Sequence, residues 1–210
     1  LLKNQISNQY EIDVRFSEKI RYSLLPKPSF HAKNVDIVHN KKILGNSDNL
    51  KLYISTSNLF SLKKIKIKDI VFKNTEFQIY ADNINFFKKT LNNPENINKV
   101  FFKKSKFFYN NDKDELLFLS KIDDLKFSYD EKNKLKKLKS AFEIFNIPFK
   151  LNISKIIDNN NKYLELVSKK IRLNVETSIE HNRSEVRGIF ALELMNKNNS
   201  FDYIIKNNTL

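Results

Sequence analysis

Three histidines, His31, His39 and His181, are the chain's only imidazoles. Imidazole is the side chain best placed to move protons or hold transition metals near neutral pH, but the spacing here serves neither use. His31 and His39 stand eight residues apart across an expected turn, not at the H-x-x-x-H interval of a helical zinc pair. No nucleophile-elbow glycine pattern surrounds a serine to anchor a triad. Asp112, Asp114 and Glu115 resemble the start of a calcium loop without its turn glycine or closing glutamate, and Asp123-Asp124 reads as a solvated turn pair. Cysteine is absent, which removes disulfides, thiolate zinc sites and cysteine nucleophiles. The only glycines are Gly45 and Gly188, too few and too far apart for a P-loop or a dinucleotide fingerprint. The expectation is a non-enzymatic protein with no metal and no cofactor.

A second kind of chemistry is polyanion binding. The 210 residues carry 38 basic and 24 acidic side chains, and 38 − 24 gives a net charge of +14. Phe101-Phe102-Lys103-Lys104-Ser105-Lys106-Phe107-Phe108-Tyr109 mixes lysines with aromatic rings that can stack on single-stranded bases. A strand whose rings pack on neighbouring strands reads the same way. The excess is mostly lysine spread along the whole chain, while arginine occurs only at Arg15, Arg21, Arg172, Arg183 and Arg187. Lys, Asn, Ile and Phe are encoded by AT-only codons, so genome bias accounts for this composition without selection for nucleic acid. Attraction to anionic lipid head groups is the next reading, at roughly 1 kcal/mol per well-placed lysine.

The elements that would position any site have a period of two. Tyr10, Ile12, Val14 and Phe16 alternate with Glu11, Asp13 and Arg15, Leu50, Leu52 and Ile54 with Lys51, Tyr53 and Ser55, Ile65 and Ile67 with lysines, and Phe77 and Ile79 with Glu76 and Gln78. In the second half Leu125, Phe127 and Tyr129 share a face, and Phe145, Ile147, Phe149, Leu151 and Ile153 make the longest alternation. Ile171, Leu173 and Val175 follow, then Leu192 and Leu194, then Phe201, Tyr203 and Ile205. Each strand is apolar on one side and charged on the other, the habit of antiparallel sheet. Pro148 inside the longest run requires an edge or a bulge. Turns are expected at 45–49, 110–112 and 158–161, where Asn and Asp supply the left-handed conformation. Helix is scarce: Ile84, Phe87 and Leu91 predict a short helix over 81–92, between Asp82 and Pro94. Residues 1–9 read as a helix tail, and 132–139 as a helical turn or a charged loop. No run approaches the ~20 apolar residues of a membrane helix, and no signal peptide is visible. A chain opening on Leu1-Leu2 fits an excerpt that starts just after an apolar segment.

Four features in order carry a resemblance. A strand is followed by Leu24-Leu25-Pro26-Lys27-Pro28-Ser29-Phe30, then by Asn34-Val35-Asp36-Ile37. Next come Asp48-Asn49-Leu50-Lys51-Leu52-Tyr53-Ile54-Ser55 with Leu59 and Leu62, and last Lys64-Ile65-Lys66-Ile67-Lys68-Asp69-Ile70 continuing through Phe72, Phe77 and Ile79. In this order they resemble the N-terminal region of the AsmA family, envelope proteins of Gram-negative bacteria. The likeness weakens after Pro94, although 139–153 looks like a later family strand pair. Asn and Lys stand where the family has small residues and glycines.

The resemblance implies a mainly β protein, its largely antiparallel, twisted and elongated sheet curved into a groove with one or two short helices. Residues 1–93 would be the AsmA-like region and 94–210 a continuation of the same groove. It implies a periplasmic protein tied to the inner membrane through a segment not in this chain, and a part in outer-membrane or envelope biogenesis. The implied partners are phospholipid or another acyl lipid and envelope proteins, with no nucleic acid. The residues themselves add that so little helix cannot cover the apolar side of so many strands. The groove candidates are Ile65, Ile67, Phe145, Ile147, Phe149, Leu151, Ile153, Ile171, Leu173 and Val175. A β scaffold that recruits envelope partners through its edges, or a basic nucleic-acid-binding module, are the alternatives.

Overall fold

The computed structural model describes residues 3–4, 6–7, 13–39, 42–55, 67–80, 99–111, 113–181 and 185–206. They form thirteen strands: β1 (Asp13–Phe16), β2 (Arg21–Ser23), β3 (Ser29–His39), β4 (Lys42–Ile54), β5 (Ile67–Ile79), β6 (Lys99–Asn110) and β7 (Leu116–Asp130). The rest are β8 (Leu135–Ile144), β9 (Ile147–Ile156), β10 (Lys162–Ser168), β11 (Leu173–His181), β12 (Glu185–Leu194) and β13 (Lys197–Lys206).

All thirteen belong to one sheet. The order is β1-β3-β4 and then straight through to β13, with β2 paired to β3 off the main path. The sheet is curved and does not close into a barrel. At about 4.8 Å between strands, the path from β1 to β13 covers roughly 50 Å. Every pair is antiparallel except β5–β6, which is parallel, so a tight hairpin cannot join those two. The expected helix over 81–92 lies in that connection, outside the described residues. Residues 3–4 and 6–7 are helical, in keeping with the expected helix tail. The stretch 132–139 is neither helical turn nor loop as a whole: a turn occupies 131–134 and β8 begins at Leu135.

Registers place the apolar residues of successive strands side by side. Val14 faces Ile37, Leu50 faces Phe72, Phe72 faces Phe102, Phe102 faces Leu125, and Phe127 faces Leu138. The ladder continues through Leu138–Ile153, Ile153–Leu164, Val175–Leu192 and Phe190–Phe201. One face of the sheet is therefore apolar from the first strand to the last.

A crease crosses β3 to β7. Asn34, Asn74 and Lys104 hold φ values of 48°, 50° and 50°, a conformation that Asn tolerates and most residues avoid. Each inserts one residue into the alternation. On β5 the buried side chains are Ile70 and Phe72 before Asn74, then Thr75 and Phe77 after it. On β3 they change from Ala32 to Val35 and Ile37, and on β7 a register shift between Ile122 and Asp124 does the same. Such bulges bend a strand and tighten its twist. Residues 45–49, expected as a turn, instead run through the middle of β4 and supply its share of the crease.

Buried hydroxyls replace the ladder bonds lost there. Ser47 Oγ and Thr75 Oγ1 bond at 2.7 Å, and the Thr75 amide donates to Ser105 Oγ at 3.3 Å. Asn74 Nδ2 donates to Asp48 Oδ2 at 3.2 Å.

From β8 onward the sheet is a plain meander joined by tight turns. Phe145 and Asn146 (φ 50° and 61°) make a two-residue turn of the kind that matches strand twist, as do Met195 and Asn196 (φ 50° and 67°). Pro148 is accommodated by its place next to the first of these turns. Ile144 and Ile147 close the hairpin, so the Pro148 nitrogen points away from β8. On the other side the β10 register reaches only Lys150, opposite Val167. The missing N–H therefore costs no ladder bond.

Candidate functional site

The apolar face differs along its length. Over β3 to β5 it is largely closed: Val35, Ile37, Leu50, Ile67 and Ile70 are buried, with Ile6 of the N-terminal helical residues and Val14 of β1 packed into the same cluster and Val100, Phe102 and Phe107 of β6 half-buried against it. Phe72, Phe77, Phe102 and Phe107 pack there as a ring cluster, with neighbouring centroids 5.0–6.2 Å apart. This is an ordinary apolar core, buried by the chain's own atoms.

From β8 to β12 the same face is half-open. Ile144, Ile147, Phe149, Leu151, Ile153, Leu164, Leu166, Leu173 and Val175 are all intermediate in exposure, neither buried nor free. Phe142 stacks on Phe149 at 5.5 Å and Phe190 on Phe201 at 5.0 Å. Such cross-strand ring pairs stiffen the face by about 0.5–1.5 kcal/mol each beyond simple burial. On β13 exposure rises further, with Phe201 and Ile205 each 56 % exposed.

The ten residues singled out from the sequence fall into distinct places. Ile147, Phe149, Leu151, Ile153, Leu173 and Val175 come together on the half-open face, across β9 and β11. Ile67 is 1 % exposed inside the closed core, so it has no free surface to offer. Phe145 is not a strand residue: it occupies the β8–β9 turn and is 77 % exposed. The left-handed conformation that closes the hairpin lifts it off the face. Ile171 sits in the turn before β11 rather than on the strand. Ile65 lies outside the described residues.

The strands between the expected ones contribute as much. Leu138, Phe142 and Ile144 on β8, and Leu164 and Leu166 on β10, fill the rows on either side of β9. Their alternation is present in the sequence, in Leu138-Lys139-Ser140-Ala141-Phe142 and Tyr163-Leu164-Glu165-Leu166. Flanking lysine runs masked it.

The opposite face is charged and the signs are mixed. Lys106 bonds Glu76 at 2.9 Å and Lys121 bonds Glu143 at 2.8 Å, both solvent-exposed pairs of small energetic weight. The lysine–aromatic stretch of β6 is divided between faces. Phe102, Phe107 and Tyr109 pack on the apolar side, and Tyr109 stacks on Phe118 at 4.2 Å. Phe101 and Phe108 share the charged side with Lys103 and Lys106.

Elsewhere, Ser29 Oγ lies 3.1 Å from His31 Nε2. The serine is fully buried and its hydroxyl donates to the Lys27 carbonyl at 3.2 Å. Burial, and then Lys51, hold the His31 imidazole below its usual pKa. A nucleophile needs an accessible oxygen, and this pair does not present one. Asn111 organises its turn by accepting the amides of Lys113 and Glu115, both at 2.9 Å. No group of metal-ligating side chains occurs among the described residues, and none of their helices is long and apolar enough to cross a membrane. No family model and no curated protein matches this chain.

Proposed function

We propose that the half-open apolar face of β8 to β12 holds acyl lipid, and that the chain works as an AsmA-like, groove-forming protein of the bacterial envelope. The observation that carries this reading is a run of large apolar side chains across β8 to β12, none of them buried, while the same face on β3 to β5 buries most of its apolar side chains. A chain that could fill its own core at one end leaves this part of the face half-covered. An acyl chain in water costs about 0.8 kcal/mol per methylene, so a ~16-carbon tail loses on the order of 13 kcal/mol of that cost on entering an apolar trough. Contacts of this kind have no preferred direction, which permits sliding along the face.

Attachment to the inner membrane, a periplasmic location and a part in outer-membrane assembly rest on the order of motifs in residues 1–79. In this reading the chain does no covalent chemistry. A second reading, a scaffold that recruits envelope proteins, is favoured by one observation. Among the described strands β13 pairs only with β12, and such an edge can receive a strand from a partner.

The test is photo-crosslinking in a Gram-negative envelope, with a benzophenone side chain at Phe149 or Leu173 and a control at Lys150 on the opposite face. The lipid reading expects phospholipid adducts at the first two positions and none at the third. Protein adducts concentrated on β13, with no lipid at Phe149, would favour the scaffold.

A further inference from the structure

The turns at the two ends of the β8 to β13 meander differ in kind. At one end, 131–134 and 157–161 carry lysines, asparagines and acids whose groups are matched. Lys134 Nζ pairs with Asp158 Oδ1 at 3.0 Å, and the Asn133 amide donates to Asp130 Oδ1 at 3.3 Å. At the other end the turns are 145–146, 169–172 and 195–196, and two of them are headed by large apolar side chains. Phe145 is 77 % exposed and Met195 66 % exposed. The same three turns hold Lys169, Lys170 and Arg172, all exposed, and no carboxylate. The acids nearest in sequence lie inside the strands: Glu143 is paired with Lys121 at 2.8 Å, and Glu193 stands opposite Asn174. The three turns are tied to one another. Lys170 Nζ donates to the Asn146 carbonyl at 2.8 Å, and the Met195 amide donates to the Arg172 carbonyl at 3.0 Å. Two strand spacings, roughly 10 Å, separate one turn from the next, so together they form a rim roughly 20 Å long.

Neither apolar residue serves its turn. Phe145 and Met195 both hold a φ of 50°, at the first position of two-residue hairpin turns where Asn or Gly is favoured and a bulky side chain is strained. Both are left mostly in water, so folding gains little from burying them. Asn160, with a φ of 60° in a turn at the other end, is the kind of residue that this conformation alone would select. Strain and exposure at the same two positions point to something outside the chain that the tips enter. Large apolar tips among lysine and arginine, with no acid between them, suit the boundary of an anionic lipid bilayer. There the apolar groups reach the edge of the acyl region while the cationic groups stay level with the phosphates.

We infer that the rim made by the turns 145–146, 169–172 and 195–196 docks on an anionic phospholipid bilayer, with Phe145 and Met195 inserted at head-group level and Lys169, Lys170 and Arg172 on the lipid phosphates. The inference goes beyond the lipid-holding reading and does not need it, because docking takes place at the turns and acyl chains are held on the strands. Crosslinking at Phe149 and vesicle binding by the rim therefore succeed or fail separately. Where both hold, the half-open face reaches the bilayer through Ile144 and Ile147, which close the hairpin beneath Phe145.

Flotation of the full chain with vesicles of an equal mixture of phosphatidylcholine and phosphatidylglycerol, against vesicles of phosphatidylcholine alone, tests this. The expected result is about tenfold tighter binding to the mixture, weakening as salt is raised. F145N/M195N should weaken binding to the mixture about tenfold and leave the chain folded, since asparagine suits both turns. K169Q/K170Q/R172Q should lose the preference for the mixture. K132Q/K134Q/K162Q, which removes three exposed lysines at the other end of the strands, should keep it. Equal losses in the two triples would overturn the rim and leave only the general attraction of a net charge of +14. Equal binding to both kinds of vesicle, or unchanged binding by F145N/M195N, would overturn it as well. So would self-association without vesicles that F145N/M195N abolishes, which would assign the tips to a second copy of the chain. The chain has no tryptophan, so F145W reports on this turn alone. Its emission should move to the blue on adding the mixed vesicles, and an emission that does not move would overturn insertion at the rim.

Discussion

Ser47 Oγ stands 2.7 Å from Thr75 Oγ1, on facing strands and wholly out of contact with water. The pair marks where β4 and β5 give up regular pairing so that the sheet can bend, and it replaces part of the hydrogen bonding lost there. Ser47 also donates to the Asn49 carbonyl at 3.1 Å, so the hydroxyls form a short chain rather than an isolated bond.

Replacing Thr75 with Val keeps the shape and removes the hydroxyl. This should cost about 1–2 kcal/mol, because Ser47 loses a partner inside the core. Ser47→Ala should cost a similar amount. The double variant should cost clearly less than the sum, since both single changes break the same bond. Urea unfolding with an unchanged slope is the measurement; strict additivity would show that the hydroxyls do not act as a unit.

The two glycines make a second prediction, for neither has a positive φ. Each is instead covered by the ring of its cross-strand partner, Phe77 over Gly45 and Tyr203 over Gly188. A Cβ on Gly45 would meet the Glu76 carbonyl oxygen at 2.5 Å and the Phe77 ring at 2.8 Å. Backbone cannot step aside, and Phe77 is 3 % exposed. Gly45→Ala should therefore cost about 2–3 kcal/mol by overpacking. At Gly188 the obstacle is only the Tyr203 side chain, on a strand at the sheet's edge, so Gly188→Ala should cost less than half as much. Thermal unfolding of the two variants separates these cases.

How far the fold could be read from the residues depends on what carried each signal. Period-two alternation revealed β9, β11 and the antiparallel class directly, because side chains in a strand point to opposite faces and one face must leave water. The crease was also written there, as the change from Ile70 and Phe72 to Phe77 and Ile79, one residue out of phase. Without neighbouring strands that shift looks like the end of one strand and the start of another, and Gly45-Asn46-Ser47-Asp48-Asn49 looks like the turn between them. Phe145 misled for a related reason: it falls in step with Ile147 and Phe149, yet a two-residue turn has no pleat to keep it on their face. The closed and half-open halves share one alternation, so no local pattern distinguishes them. The difference is made by what packs across the face, which is long-range.

The turn at Phe145 and Asn146 separates structure from binding. Both positions are left-handed, where a bulky residue is strained and Asn-Gly is preferred. Phe145→Asn with Asn146→Gly should raise stability by about 1 kcal/mol without changing acyl-lipid binding. Phe149→Ala should lose about 1 kcal/mol with its ring pair to Phe142 and weaken that binding. A loss of lipid binding on changing Phe145 would place the site at the turn and not on the face.

Lys136 carries a pH signature of definite sign. Lys136 stands opposite Tyr129 on β7 and Lys155 on β9 in the sheet register, and burial followed by the charge of Lys155 lowers its folded pKa below 10.5. Below the folded value the lysine is charged in both states, and the full cost of burying it weighs on the fold. Between that value and 10.5 the unfolded chain binds more protons, so this contribution to stability rises with pH. Burial raises the pKa of Tyr109 above 10.0, which favours the neutral folded form and gives the opposite slope as the unfolded tyrosine ionises. Subtracting the curve of Lys136→Met from that of the unaltered chain cancels the tyrosine and isolates the lysine. The difference should favour Lys136→Met at neutral pH and shrink steadily as pH climbs towards 10.5. Urea midpoints across that range decide the matter, and a difference that stays flat would mean that the buried ammonium carries no penalty.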